Sequence, residues 1–206
     1  MLFSELRKDD EKCSDIISNF LEKNFYCDLS DFERVNDKKR QVQGIDVIFT
    51  YNDKKYICDE KCAVRYRNLQ TFCLELCFIN RQEKIVDGWL LDKDKVNNSF
   101  LFIWIDKAKK DVFTTIEDIE EIEFALIRKE KILNYLCDIG WNKQNLMYKV
   151  RKILNNENEN LGNFKENKIK FSFSKHLVEK PINVLLKRNT LIQLSDLHKK
   201  IKNHYN

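Results

Sequence analysis

Two acidic residues and a lysine are placed to do chemistry together in residues 44–61, which read GIDVIFTYNDKKYICDEK. Asp46 lies near the start of this segment, and Asp59 and Lys61 lie at its end. Carboxylate oxygens are the ligands that hard divalent cations prefer, and a neighbouring ammonium can orient a water or stabilise charge on a phosphate. The residue types therefore indicate metal-assisted hydrolysis, provided that the chain brings the three side chains together.

The pattern of the same segment predicts a β-hairpin that would do so. Apolar, partly β-branched residues lie on both sides of Asn52-Asp53, which are typical turn residues. Because side chains alternate along a strand, Asp59 and Lys61 project from one face, and Glu60 projects from the other. Two carboxylates and a lysine can then meet at one end of a sheet.

The tripeptides at 44–46 (GID) and 59–61 (DEK) resemble the signature of the PD-(D/E)xK nuclease superfamily, which has the restriction-endonuclease-like fold. The resemblance covers roughly residues 10–105. It implies a core that runs helix, three strands, helix, strand, and Mg²⁺ or Mn²⁺ as the cofactor. It also implies Asp46, Asp59 and the Glu60 main-chain carbonyl as metal ligands, with Lys61 assisting the attacking water.

The sequence departs from the family pattern at two positions. Ile45 stands where the family has a proline, and Glu60 stands where the family has an apolar residue. The second departure leaves open whether a bulge presents Glu60 as the metal ligand in place of Asp59. The spacing to Lys61 favours Asp59.

The elements on either side of the hairpin supply further candidates. Helical spacing of apolar residues predicts a first helix over residues 10–26. The family's first helix often lends an acidic residue to the metal, and Glu22 is the candidate, with Glu11 and Glu33 as alternatives. A second helix is predicted from Asn68, where the family layout has one, and the resemblance implies that Gln70 at its start contacts the metal-water network or a phosphate.

The distribution of charged residues along the chain suits a polyanionic partner. Residues 128–206 carry 17 Lys and Arg against 7 Asp and Glu, whereas the rest carries 20 against 26. Guanidinium groups bind phosphate oxygens in pairs, so Arg65 and Arg67 are candidate phosphate clamps. A basic helix beginning at Trp141-Asn142 is the best candidate for nucleic-acid binding. Its basic residues are Lys143, Lys149, Arg151 and Lys152.

Composition and periodicity bound the fold. Four glycines and one proline argue against disorder and against a turn-rich all-β fold. We expect an α/β (α+β) protein with a central mixed sheet flanked by helices, divided into a nuclease-like core (1–127) and a basic α/β extension (128–206) packed on it. Further predicted elements are a strand hairpin at 89–91 and 100–105, helices at 132–139 and from 141, strands at 169–173 and 182–186, and a closing helix at 191–201.

Seven cysteines include two C-x3-C pairs, Cys58 with Cys62 and Cys73 with Cys77. Structural metal sites more often use C-x2-C knuckles, so buried thiols are the favoured interpretation. A thiolate-bound metal using these four residues stays open as an alternative.

The sequence lacks a signal-peptide pattern and an apolar stretch near the roughly 20 residues that span a bilayer, which predicts a cytoplasmic protein with no membrane partner. We expect a metal-dependent DNA endonuclease of restriction or phage-defence type, with RNA still open as the substrate. A homodimer would supply the two active sites that double-strand cleavage needs. The alternative is an inactive nucleic-acid- or protein-binding module on the same fold.

Overall fold

The structure, a computed structural model, describes residues 3–64, 66–155, 161–164 and 168–203, with side chains described from residue 10 onward. These residues form a mixed α/β protein, which confirms the predicted fold class. No helix in the described ranges is long and apolar enough to cross a membrane.

The described part of the chain contains both helices and strands. The helices are α1 (Phe3–Asn24), α2 (Lys38–Val42), α3 (Lys129–Asp138), α4 (Lys143–Leu154) and α5 (Arg188–Leu194). The strands are β1 (Ser30–Arg34), β2 (Val47–Tyr51), β3 (Lys54–Cys62), β4 (Thr71–Ile79), β5 (Ile85–Asp87), β6 (Ser99–Ala108), β7 (Ile119–Arg128), β8 (Lys170–Phe173), β9 (Ile182–Lys187) and β10 (Leu197–Lys202).

The chain divides into two units that are discontinuous in sequence. The first unit is Met1–Leu69, Asn97–Ile127 and Ser195–Asn206, and the second is Gln70–Val96 and Arg128–Leu194. The division predicted from sequence was contiguous, with a single change at residue 127. A change does occur there, but residues 70–96 group with the second unit, and the C-terminal strand β10 groups with the first.

The first unit contains a six-stranded mixed sheet in the order β1-β2-β3-β6-β7-β10. Strands β1, β2 and β3 are antiparallel neighbours, β6 runs parallel to β3, and β10 runs antiparallel to β7. One face of the sheet packs with α1 in an apolar core, to which the helix contributes the predicted stripe of Cys13, Ile17, Phe20 and Leu21. A helix followed by three strands is the order that the resemblance implies.

The predicted β2–β3 hairpin is confirmed. Asn52 and Asp53 have φ angles of 48° and 58°, so both lie in the left-handed region that a two-residue hairpin turn requires. Val47 pairs with Cys58, and Phe49 pairs with Tyr56. These four side chains are buried in the core with α1, so the sequence alternation sets the face on which each side chain lies.

The segment after β3 is a strand where the periodicity predicts a helix, and this prediction is wrong. In β4, Phe72, Leu74 and Leu76 are buried in strict alternation. Asn68 has a φ of 51°, which is not the extended conformation of a helix N-cap. The pairing of β4 with β9 satisfies its backbone groups, and this long-range partner decides between two periodicities that the segment fits almost equally well.

Two other predictions are corrected in the same way. Residues 89–91 form a turn, not a strand, although the predicted strand at 100–105 lies within β6 and is fully buried there. The predicted closing helix ends at Leu194 as α5, and Leu197 and Ile201 belong to β10. The polar segment 155–163, NNENENLGN, has the composition of a loop, and its residues 156–160 lie outside the described residues.

The second unit contains a four-stranded antiparallel sheet in the order β5-β4-β9-β8. Helices α3 and α4 occur where they were predicted, and Gly140 between them has a φ of 87° that suits a residue ending a helix. The side chain of Asn142 caps α4 by accepting a hydrogen bond from the Asn145 N–H at 2.9 Å. The predicted strands at 169–173 and 182–186 are β8 and β9.

Gly44 positions the start of β2. It follows α2 with a φ of 81°, and its N–H donates to the Gln41 carbonyl at 2.9 Å. The next N–H, of Ile45, donates to the Arg40 carbonyl at 3.1 Å. This pair of bonds is a Schellman motif, which ends a helix and redirects the chain. Gly44 therefore fixes the direction in which the chain runs from α2 to Asp46.

We expect Gly44→Ala to lower the free energy of unfolding by about 1–2 kcal/mol, because an alanine resists the left-handed conformation. Urea denaturation of the two proteins measures the difference. Gln43→Ala is the control, since Gln43 is exposed and has an ordinary φ of −81°. Equal stability of Gly44→Ala and wild type would show that the turn does not depend on glycine.

Candidate functional site

Asp59 and Lys61 project from the same face at the end of β3, as the alternation predicts. Lys61 Nζ lies 2.7 Å from Asp59 Oδ1, and the Asp59 side chain is only 6% exposed. In the parallel pairing with β6, Asp59 lies opposite Phe100 and Lys61 lies opposite Phe102, both of which are buried. The lysine and the aspartate therefore form a close ion pair beside apolar surface.

Asp46 is fixed by three hydrogen bonds at the edge of the same strand. Its N–H donates to the Cys58 carbonyl at 2.9 Å, and its carbonyl accepts from the Val35 N–H at 2.8 Å. Its carboxylate oxygen Oδ2 accepts from the Glu60 N–H at 2.8 Å. The Asp46 side chain thus bonds the β3 backbone between Asp59 and Lys61, just outside β2, which begins at Val47.

The two aspartates interact electrostatically. Burial raises the pKa of Asp59 to about 6, Lys61 opposes this shift, and the nearby Asp46 adds to it through charge repulsion and a side-chain hydrogen bond. A carboxylate pair of this kind gains from a cation that neutralises the second negative charge. Asp46 and Asp59 are therefore suitably placed and suitably charged to share a divalent ion.

Glu60 lies on the opposite face of β3, where it is held by two partners. Tyr26 Oη donates to Glu60 Oε1 at 2.7 Å, and the Arg34 guanidinium contacts Glu60 Oε2 at 2.5 Å. Burial raises the pKa of Glu60, and Arg34 and Tyr26 oppose the shift. The carboxylate of Glu60 is occupied on this face, so Asp59 is the residue that faces Lys61.

Glu22 belongs to the same group of contacts as Glu60. Its carboxylate accepts from Arg34 Nε at 2.7 Å, so one arginine joins α1 to β3 through two carboxylates. The alternative Glu33 lies at the exposed end of β1 and pairs with Arg40. Glu11 is an exposed residue of α1.

Three further residues were predicted for the site, Gln70, Arg65 and Arg67. Gln70 precedes β4 in the second unit, and its carbonyl accepts from the Arg188 N–H at 2.9 Å. Arg65 lies outside the described residues. Arg67 donates to the carbonyls of Val64 at 2.6 Å, Lys110 at 3.1 Å and Asp111 at 3.2 Å. Arg67 therefore braces two loops through its guanidinium, which is in part exposed.

The predicted basic residues of α4 differ in their surroundings. Lys143 binds Asp87 Oδ2 at 2.9 Å and the Leu91 carbonyl at 3.3 Å, so it anchors the start of the helix. Arg151 is exposed, and Lys149 and Lys152 are partly exposed.

The cysteines do not form a thiolate cluster. Cys58 and Cys77 are buried thiols, whereas Cys73 is exposed. Burial raises the pKa of Cys62, and it raises that of Cys77 to about 12, so neither is readily a thiolate. Among the described residues, no group of three or more His, Cys, Asp or Glu is arranged to hold a metal ion.

Comparisons with known proteins return nothing that identifies the chain. No protein-family model matches it, and no curated protein or solved structure matches it. The candidate site must therefore be judged from its own geometry.

The Tyr26–Arg34–Glu60 network is the part of the site that the sequence did not reveal. The one feature of the sequence that points to this network is Glu60 itself, which is acidic at a position where the family has an apolar residue. An acidic side chain on the buried face of a strand requires a cationic or hydrogen-bonding partner. Arg34 and Tyr26 are those partners, but nothing in the local pattern singles them out.

We expect the Glu60–Arg34 pair to be strongly coupled. Glu60→Ala and Arg34→Ala should each lower the free energy of unfolding by about 3 kcal/mol, since each leaves a largely buried charge without its partner. In urea denaturation, the double variant should lose about 1–3 kcal/mol less stability than the two single variants lose together.

The exposed Glu33–Arg40 pair is the matched control, because it joins the same residue types in the same unit. Its side chains are 50% and 38% exposed, so its coupling should be about 0.5 kcal/mol or less. Equal coupling in the two pairs would contradict a special role for the buried one.

Asp59 should make stability depend on pH. Its pKa is about 6 in the folded protein and near the ordinary 3.8 in the unfolded chain, so the folded state binds the proton more tightly. The stability that protonation gives is present at low pH and is lost as pH rises through about 6. In EDTA, Asp59→Asn should therefore match wild type at pH 4 and exceed it at pH 8 by roughly 1–3 kcal/mol.

Chemical denaturation at each pH measures this difference. Asp53→Asn is the control, because Asp53 is exposed and asparagine tolerates its φ of 58°. A constant gap between wild type and Asp59→Asn over this range would mean that the Asp59 carboxyl has an ordinary pKa.

Proposed function

We propose that the protein is a metal-dependent nuclease that hydrolyses phosphodiester bonds, with DNA as its substrate. The observation that carries this proposal is the arrangement of Asp59 and Lys61 on one face of β3, next to the Asp46 carboxylate. Two carboxylates with an ammonium beside them are suited to phosphoryl chemistry, because the reaction needs charge stabilisation more than it needs covalent help.

The donor set fits Mg²⁺ or Mn²⁺. These ions prefer oxygen ligands, and Mg²⁺ usually keeps several waters and takes only one or two carboxylates from the protein. Asp46 and Asp59 would supply the carboxylates, and the Glu60 carbonyl would be the third protein oxygen. When bound, the ion supplies Lewis-acid stabilisation of charge on the phosphate.

The side chains of this site have distinct tasks in the proposed reaction. Lys61 has three N–H donors, so it can hold a water or a phosphate oxygen while Asp59 Oδ1 keeps its ammonium in place. Asp46 fixes the β3 backbone between these two residues through its bond to the Glu60 N–H. Water attacks phosphorus in line, the P–O bond to the 3′ oxygen breaks, and that oxygen takes up a proton.

The order of elements supports the same proposal at the level of fold. As in the family layout, α1 precedes β1, β2 and β3, and β6 runs parallel to β3, although the short helix α2 lies between β1 and β2. The described residues between β3 and β6 form β4 and β5 and no helix, so the chain departs from the layout there. Fold likeness alone does not carry activity, so this likeness adds only to the argument from the site.

A restriction or phage-defence role is the biological setting that we propose for such an enzyme. Double-strand cleavage by one small chain needs two copies of the site, which a symmetric homodimer would supply.

A binding module without catalysis is the second candidate. The observation that favours it is the ion pair between Glu22 and Arg34. With Glu22 bound to Arg34, Asp46 and Asp59 remain as carboxylate ligands, whereas the family often adds an acidic residue from its first helix. Metal affinity separates the two candidates, because a module without a metal site gains no stability from Mg²⁺.

Cleavage assays test the nuclease proposal. Wild type, Asp59→Asn, Lys61→Ala and the control Asp53→Asn are incubated with supercoiled plasmid, linear duplex, single-stranded DNA and RNA in Mg²⁺ or Mn²⁺, with EDTA as the blank. We expect wild type and Asp53→Asn to cut equally, and both site variants to lose roughly 10²–10⁴-fold in rate.

Thermal unfolding with and without Mg²⁺ accompanies the cleavage assay. Mg²⁺ at 100 times its dissociation constant should stabilise wild type by about 2.7 kcal/mol and should leave Asp59→Asn unchanged. Activity that persists equally in both site variants, or an inert wild type that Mg²⁺ does not stabilise, would refute the proposal.

A further inference from the structure

One face of α4 is exposed and forms a recess in the surface of the second unit. This face, the α4 surface, borders an open cavity of about 490 Å³. The α4 surface consists of Lys143, Gln144, Asn145, Met147, Tyr148 and Arg151.

Tyr148 is the most unusual residue of the α4 surface. Its side chain is 58% exposed, although burial of an aromatic ring is a large source of stability. The core-facing side of α4 is already supplied by Leu146, Val150 and Ile153, all of which are buried. Packing of the helix therefore does not require an aromatic residue at position 148.

The charged residues of α4, on which Tyr148 lies, are all basic. The sequence of α4, KQNLMYKVRKIL, contains four basic residues and no acidic one. Lys152 Nζ lies 4.7 Å from the centroid of the Tyr148 ring, and Arg151 is exposed on the adjoining part of the helix. An ammonium covers one face of a ring, which leaves the opposite face of this exposed side chain for another planar group.

An exposed aromatic ring between cationic side chains is the combination that binds single-stranded nucleic acid. Bases stack on the ring, and the cations neutralise the phosphates on either side. A duplex keeps its bases stacked on one another, so it offers the ring only base edges and phosphates. An acidic peptide would satisfy the charges but would leave the ring without a planar partner.

We propose that the α4 surface binds a single-stranded polynucleotide, with a base stacked on Tyr148 and phosphates held by Arg151 and Lys152. Lys143, which the sequence also suggested, serves instead to anchor the helix through Asp87. The inference extends the proposed nuclease function by naming the form of nucleic acid that the chain grips. It rests on α4 alone, so it can hold even where the catalytic proposal fails.

Fluorescence anisotropy with the full chain in EDTA tests this inference without any cleavage. The probes are labelled 20-nucleotide single strands of DNA and of RNA with the same sequence, and the DNA duplex. We expect wild type to bind at least one single strand more tightly than the duplex. Tyr148→Ala should weaken that binding roughly 10- to 100-fold, and Tyr148→Phe should retain it, because phenylalanine keeps the stacking surface.

Two controls are matched to the variants. Tyr66 is 65% exposed and lies in the first unit, so Tyr66→Ala removes a similar exposed ring elsewhere. Arg151→Ala should weaken binding and reduce the slope of log affinity against log salt by about 1, whereas Arg81→Ala, at an exposed position of the second unit, should do neither.

The outcomes separate this inference from the nuclease proposal. Asp59→Asn should lose cleavage but still bind the single strand in EDTA. A wild type that binds the single strand without cutting it would count against the nuclease proposal only. Tighter binding of the duplex, unchanged affinity in Tyr148→Ala, or no binding of either single strand by wild type would overturn the assignment of the α4 surface. Circular dichroism of Tyr148→Ala and Tyr148→Phe verifies that both variants are folded.

Discussion

The contact between Glu60 and Arg34 is the constraint on which the candidate site depends. Side chains of a strand alternate strictly, so a strand that presents Asp59 and Lys61 on one face must send Glu60 to the other. That other face packs with α1, where an isolated carboxylate would cost several kcal/mol. Arg34 and Tyr26 make Glu60 tolerable there, and the site on the opposite face follows from the same strand.

The parts of the fold that were predictable are those with local causes. The β2–β3 hairpin follows from a two-residue turn and from alternation on either side of it, and α4 follows from a capping asparagine and a helical stripe. The segment containing β4 fits helical and alternating periods almost equally well. Its pairing with β9, more than 100 residues further along the chain, decides the matter, and no local pattern contains that information.

The candidate site likewise has a part with a local cause and a part that depends on long-range contacts. The common face of Asp59 and Lys61 follows from the two-residue period of a strand, so the sequence was sufficient to predict it. The partners of Glu60 come from β1 and from the turn after α1, and only the folded chain brings them together. The argument for Gln70 depended on a helix that does not form, because Gln70 directly precedes β4.

The route of the chain between β3 and β6 ties the two units together. Parallel neighbours such as β3 and β6 need a long crossover, and here the crossover includes β4 and β5, which pair within the second unit. A chain cut after residue 127 would keep β4 but lose β9, and it would also lose β10, the partner of β7. The basic segment thus supplies β10, the last strand of the sheet that carries Asp59. Point substitutions, not truncations, are therefore the means of separating binding from catalysis.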